Sequence, residues 1–290
     1  MVKRTLLFLL CLWLGRTLLG PPLCSPDPHS WQELDSKIRA TVRKLPGKTG
    51  LVVQDLSSGK SLSISGDDLF PAASVIKIPI MAAVFHESRE GRIRLDEQMV
   101  IESRFKVGGS GILKQSPEGS KIRIGKLVFL TITQSDNTAT DMLISRVGMK
   151  RINEVMKGMG LKRSCLRRTI WDFKSMDRGM DNLTTPAEMA RLLRRIYRGE
   201  AVDKESSARM MEILKQAKRD LIAKAVPPGI PVVHKTGQLA GNVNDAAIVL
   251  AGKTPYLLCI MTRETDDAFA REAIQEITVM VHRFFVSRKP

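Results

Sequence analysis

Apolar positions along the chain change their period twice. Residues 31–45 place Leu34, Ile38 and Val42 four apart, a spacing that predicts an amphipathic helix. The period then drops to that of strands: GLVVQDL (50–56) and LSI (62–64), separated by SSGKS, read as a β-hairpin. From about Glu87 to Leu221 helical spacing dominates, in KIRIGKLVFLTIT, TATDMLISRV and MKRINEVMKGMG. The clearest start lies at Thr185, where Thr185, Pro186 and Glu188 supply an N-cap, a first-turn proline and a capping-box acid. Behind them Met189, Leu192, Leu193, Ile196 and Tyr197 form one apolar face. Strand patterns return in IPVVHK, NDAAIVLAG and PYLLCIMTRE, before a last helix over 268–284. Strands at both ends with helices between predict an α/β chain: one sheet assembled from the two termini, with a helical subdomain inserted.

The first twenty residues, MVKRTLLFLLCLWLGRTLLG, follow a different rule. A basic start (Lys3, Arg4) precedes an apolar run from Leu6 to Leu14, and Arg16 interrupts it short of the roughly 20 residues a bilayer span needs. Residues 1–25 are therefore read as a signal peptide, and the protein as exported, periplasmic or secreted. Pro21 and Pro22 argue against lipid attachment at Cys24. The expected catalytic domain covers 30–290, its α/β part being 30–86 with 222–290 and its helical part 87–221.

Composition narrows the partners. With 43% hydrophobic residues in 290, the chain can bury a large core. Its formal charge is +16, and losing Lys3, Arg4 and Arg16 with the leader leaves +13, which favours electrostatic association with an anionic cell envelope. Nucleic acid is not expected, because RLLRRIYR (191–198) reads as the polar face of a helix and no recognition motif accompanies it. Cys11, Cys24, Cys165 and Cys259 fit neither a disulfide scaffold nor a zinc site; a bridge between Cys165 and Cys259 is the alternative to two buried thiols, and the thiols are preferred. His29, His86, His234 and His282 are scattered singly, so neither metal nor cofactor is expected. The expected partner is a small molecule, and the expected state a monomer.

Three short motifs carry chemistry. In PAASVIKIPIMAAVF (71–85), Ser74 precedes Lys77 by one helical turn, so both side chains share a face. A serine hydroxyl needs a base, and a lysine serves only when burial or nearby cations lower its pKa. Val75, Ile76, Ile78 and Ile80 would supply the dry surroundings, and the Lys77 amine is expected to point back past Ser74. Pro79 is tolerated if the helix starts at Ser74 or Val75, where amide donors lack partners anyway. The second motif, Ser135-Asp136-Asn137, lies between two helical patterns and reads by itself as a helix cap and turn. The third, Lys235-Thr236-Gly237, ends an apolar strand, and Gly237 allows close backbone approach at a strand edge.

SxxK, SDN and KTG in this order, about 60 and then about 100 residues apart, resemble the penicillin-recognising serine enzymes, and most closely the class A β-lactamase family. The resemblance runs from Leu34 to Phe285 and extends to GGSGIL (108–113) and NLTTPAEMARLL (182–193). It implies an α/β/α sandwich, an antiparallel sheet flanked by helices, with the active site between it and the helical subdomain. Ser74 would be the acylated nucleophile, Lys77 its base, and Ser135 the relay of a proton to the leaving nitrogen. Asn137 would hold the substrate's side-chain amide, Lys235 and Thr236 its carboxylate, and the N–H groups of Ser74 and Gln238 the oxyanion.

The chain departs from the family in one loop. Class A enzymes place a glutamate there to activate the deacylating water, yet LRRTIWDFKSMDRGMDNLTTP contains none, and none occurs between Glu154 and Glu188. Counting back from Pro186 puts Thr169 near that position, and threonine is no base. Asp172 is the nearest acid. Flanked by Trp171 and Phe173 it reads as a deacylation base of raised pKa, or as a structural partner of Arg167 or Arg168, the preferred reading. The resulting expectation is a β-lactam-opening serine hydrolase with slow deacylation. The alternatives are a penicillin-binding peptidase or esterase acting on cell-wall peptides, and a binding module of the same fold that no longer reacts.

Overall fold

The computed structural model describes residues 30–287, so the stretch 1–25 read as a signal peptide, with Cys11 and Cys24, lies outside the described residues. Five antiparallel strands form one sheet in the order Ser61–Ile64, Lys48–Asp55, Tyr256–Arg263, Asn242–Val249, Val232–Leu239. The N-terminal hairpin joins the C-terminal strands through the ladder that runs from Lys48 opposite Arg263 to Asp55 opposite Tyr256. One sheet is thus assembled from both ends of the chain.

Strand alternation divides the core in two. Leu51, Val53, Leu258 and Ile260 point to one face, where they pack with Leu34 and Ile38 of the helix Trp31–Val42 and Ile277 and Phe285 of the helix Asp267–Ser287. Val52, Leu257, Cys259 and Met261 point to the other, against the helix Pro186–Arg198 and in one core with the helix Lys77–Arg89 and the helical region beyond. This is the α/β/α arrangement expected from the resemblance. Every one of these side chains is at least nine-tenths buried, and truncating one such as Ile260 to alanine costs about 2–5 kcal/mol. The helix Pro186–Arg198 packs on the sheet itself, although its sequence position lies within the stretch read as helical subdomain. Among the described residues no helix is long and apolar enough to cross a membrane.

Local signals account for the ends of these elements. Ser30 Oγ accepts from Glu33 N–H, and Thr185 Oγ1 from Glu188 N–H with Pro186 in the first turn. Glu188 does not close a capping box. Its carboxylate instead accepts from the N–H groups of Arg163 and Ser164 and from Ser164 Oγ, so it anchors the start of the loop that lacks the glutamate. Two further expectations need correction. The strand carrying Lys235-Thr236-Gly237 does not stop there but stays paired to Leu239 opposite Asn242. Cys165 and Cys259 are free thiols, and only Cys259 is fully buried.

Candidate active site

Ser74 lies in a single 3-10 turn, Ala73–Ile76, that runs straight into the helix Lys77–Arg89. Pro79 falls at the third helical position, where a missing N–H costs no hydrogen bond. Ala73 holds a left-handed φ of 46°, a conformation that a side chain makes costly and that persists only when its surroundings enforce it. The enforcement is visible on both sides of the turn. Asn244 Nδ2, from the sheet, donates to Pro71 O at 2.8 Å, and Ala72 N–H donates to Asn182 O at 2.8 Å.

Lys77 is fully buried behind this turn. Its Nζ donates to Ser135 O at 2.7 Å, Ser135 Oγ at 3.1 Å and Asn137 Oδ1 at 2.8 Å. None of the three bonds goes to Ser74: the amine is held by the SDN segment and is not hydrogen-bonded to the serine that its helical spacing places on the same face. An ammonium has three protons, and the SDN segment offers an acceptor for each. Burial nevertheless pushes the Lys77 pKa well below its ordinary value, with the positive charge of Lys235 adding to the effect and Asp136 and Asp141 opposing it. The outcome is an amine that gives up its proton easily, next to a serine at a helix start.

Two carboxylates build the surrounding wall, Asp136, which the motif reading left as a cap-and-turn residue, and Asp141, which it did not single out. Asp136, fully buried, caps the helix Asn137–Val147 through Ala139 N–H and also accepts from the N–H groups of Ile112 and Leu113 at 2.7 and 2.8 Å. That grip requires Gly111, whose φ is 106° and whose β-carbon would fall 2.3 Å from Asp136 Cγ. Asn137 Nδ2 donates to Gly108 O at 3.0 Å, so GGSGIL is fastened to SDN at both ends. One turn along the same helix, Asp141 is buried and accepts from Ile170 N–H at 2.8 Å. Its pKa is raised to about 6, mainly by burial and against the pull of backbone donors and of Lys77 and Arg168.

The edge strand Val232–Leu239 forms the opposite wall. Gly237 lies so close to the serine turn that a β-carbon on it would sit 2.8 Å from Ser74 N and 2.9 Å from Val75 N. Lys235 Nζ donates to Thr236 O at 2.7 Å, and burial lowers its pKa to about 8, with Asp245 opposing. Gln238 is tied by its side chain to Asp267 and Arg271.

Between these walls lies a cleft of about 230 Å³, bordered by Ser74, Gly109, Asn137, Trp171, Asn182 and Gln238 among others. The structure thus brings Ser74, Asn137 and Gln238 to the opening, with Lys77 and Ser135 joined behind it and Lys235, Thr236 and Gly237 along its edge strand. Asp172 is not at this cleft and is not a group of raised pKa. It caps the short helix Phe173–Asp177 by accepting from Ser175 N–H and Oγ, bonds that hold its pKa below the usual range, and it borders a neighbouring cavity. Nor does it take Arg168, whose guanidinium pairs with Asp181 at 2.8 Å and caps the carbonyls of Thr169 and Ile170. Among the described residues no Asp or Glu lines the cleft.

Comparison with known proteins follows the same outline. Beta-lactamase CARB-3 of Pseudomonas aeruginosa is 23% identical over 280 residues, covering 94% of this chain and 96% of that protein. The structure of PBP-A matches with a TM-score of 0.83 at 30% identity, over 89% of this chain and 97% of that one, and a PBP-A mutant has been solved as an acyl-enzyme complex with penicillin G. A beta-lactamase from Sphaerobacter thermophilus matches with a TM-score of 0.81 at 29% identity, over 90% of this chain and 100% of that one. Residues 33–285 match the Beta-lactamase enzyme family, and the chain belongs to it.

Proposed function

We propose that this protein is an exported serine hydrolase that opens β-lactam amides through an acyl-enzyme on Ser74 and releases the product slowly. The observation that carries the reading is the buried Lys77 amine of lowered pKa, held by Ser135 and Asn137 beside the Ser74 turn. On losing a proton, Lys77 Nζ gives up one of its three donated bonds and frees a lone pair, which takes the hydroxyl proton as Ser74 Oγ attacks the carbonyl carbon. Ser135, hydrogen-bonded to the same amine, passes a proton to the nitrogen that leaves when the ring C–N bond breaks. The N–H groups of Ser74 and Gln238 receive the oxyanion, assisted by the positive end of the helix that begins behind Ser74. Lys235 and Thr236 hold the substrate carboxylate, and Asn137 its side-chain amide.

Slow release follows from the composition of the cleft, which has no carboxylate on its lining to activate a water. The penicillin G acyl-enzyme of the PBP-A mutant supports acylation in a protein of this shape. The same gap in the lining favours a second reading, a penicillin-binding peptidase or esterase whose natural substrate is a cell-wall peptide. The free outer edge of the strand Val232–Leu239 could pair with an extended peptide. A chromogenic cephalosporin separates the two: sustained colour over many equivalents supports the hydrolase, whereas a single burst of one equivalent supports the peptidase. Absence of both signals rejects an acylating enzyme.

A further inference from the structure

Trp171 borders two cavities at once. On one side is the cleft with Ser74; on the other is a space of about 540 Å³ that also touches Asp141, Arg104, Met149 and Asp172. The indole lies across Gly108 and Gly109, where added β-carbons would meet its ring at 2.5 and 2.4 Å, so its turn closes the gap between the loop and GGSGIL. It remains 39% exposed, with Phe173 edge-on to it at 4.7 Å. From inside, Asp141 accepts from Ile170 N–H at 2.8 Å, its ionised form favoured also by Trp171 N–H, while Arg168 holds the carbonyl side of the same turn by donating to Ile170 O at 2.7 Å.

We infer that Asp141 is a positioning residue whose carboxylate latches the Ile170–Trp171 turn against the cleft, and whose protonation loosens that turn, making the wall beside Ser74 responsive to pH. A carboxylate accepts a backbone N–H about twice as strongly as a neutral group does, so protonation weakens the hold without removing it. Asp141 is poised to change state in the mildly acidic range, its pKa being raised to about 6. The charged groups around it are Lys77 from the serine helix and Arg168 from the loop, both of which favour its ionised form, together with Arg104 and Asp172 on the wall of the shared cavity. Asp136, at the start of its own helix, acts with it on Lys77. Arg168, fixed by Asp181, donates to Ile170 O and so retains the carbonyl side of the turn when Asp141 releases the N–H side, which limits the change to a loosening.

The inference rests on the proposed function only in naming the cleft as the reaction site, and its test needs no substrate. Trp171 fluorescence, isolated by subtracting the Trp171→Phe spectrum from that of the full chain, is followed from about pH 5 to about pH 8, the span that brackets the expected transition. The expected result is one transition near pH 6 that is absent from Asp141→Asn and retained in Asp172→Asn. A transition that survives Asp141→Asn, or a flat wild-type signal, overturns the latch while leaving acylation of Ser74 untouched. Should Asp141→Asn fail to fold, acrylamide quenching of Trp171 in the wild type decides: higher accessibility at the acidic end supports the latch, and equal accessibility refutes it.

Discussion

Gly237 and Ser74 approach each other so closely that a β-carbon at residue 237 would lie 2.8 Å from the Ser74 nitrogen. The sheet edge and the serine turn are therefore in backbone contact, and the spacing between Ser74 and the Lys235 strand depends on a glycine. Because the obstacle is backbone and not a flexible side chain, Gly237→Ala must push the strand outward. The expected cost is about 1–3 kcal/mol of stability, with a larger fall in acylation rate than in Tm. Retention of wild-type acylation by this variant would show that the strand does not set the site.

Lys235 supplies the second prediction. Its pKa of about 8 means that it loses its charge as pH rises through that value, so affinity for an anionic β-lactam should weaken above about pH 8. Lys235→Arg keeps its charge throughout and should remove that limb from the profile of KM against pH. A limb unchanged in Lys235→Arg would assign it to another group.

Asp172 supplies the third. As a helix cap with a lowered pKa on an exposed turn, it does no proton transfer, so Asp172→Asn should leave the deacylation rate constant within about twofold and lower Tm only slightly. A fall of about a hundredfold or more in deacylation would restore it as a base.

Asp141 makes the fourth, through stability. Its pKa is raised in the folded chain, so between the ordinary value of 3.8 and about 6 the folded state keeps a proton that the unfolded state has lost. Stability therefore falls as pH rises through that window, and the cost, up to about 3 kcal/mol, is fully present above about pH 6. Asp141→Asn escapes it, losing about 1 kcal/mol for the weaker acceptor. Denaturant unfolding should find the variant more stable than wild type near pH 7.5 and no more stable near pH 4. A variant less stable at both would contradict this balance.

Local signals carried much of the architecture into the sequence. The hairpin over 48–64, the Thr185 cap and the three C-terminal strands are written in period and turn chemistry that neighbouring residues alone decide. The spacing of SxxK, SDN and KTG likewise named the residues that the fold brings around one cleft. What stayed hidden depends on contacts between distant segments. Asp136 and Asp141 look like ordinary polar positions at a helix start, and only closure of the loops shows that they hold Ile112, Leu113 and Ile170. Asn182 and Asn244 pass for turn and strand residues until the serine turn settles on both. Lys77 shares a face with Ser74 by helical spacing, but the three acceptors that hold its amine lie about sixty residues away in sequence. Arg168 has two nearby acids to choose from, and the loop path selects Asp181 over Asp172.

Ser74, activated by a buried amine, is proposed to attack a strained amide. Exposing the full chain to penicillin G and measuring intact mass, followed by peptide mapping, tests it most directly. The expected result is a gain equal to the whole penicillin molecule on the peptide containing Ser74, decaying slowly, and no gain in Ser74→Ala. An adduct on another residue, or neither adduct nor hydrolysed penicillin, would contradict it.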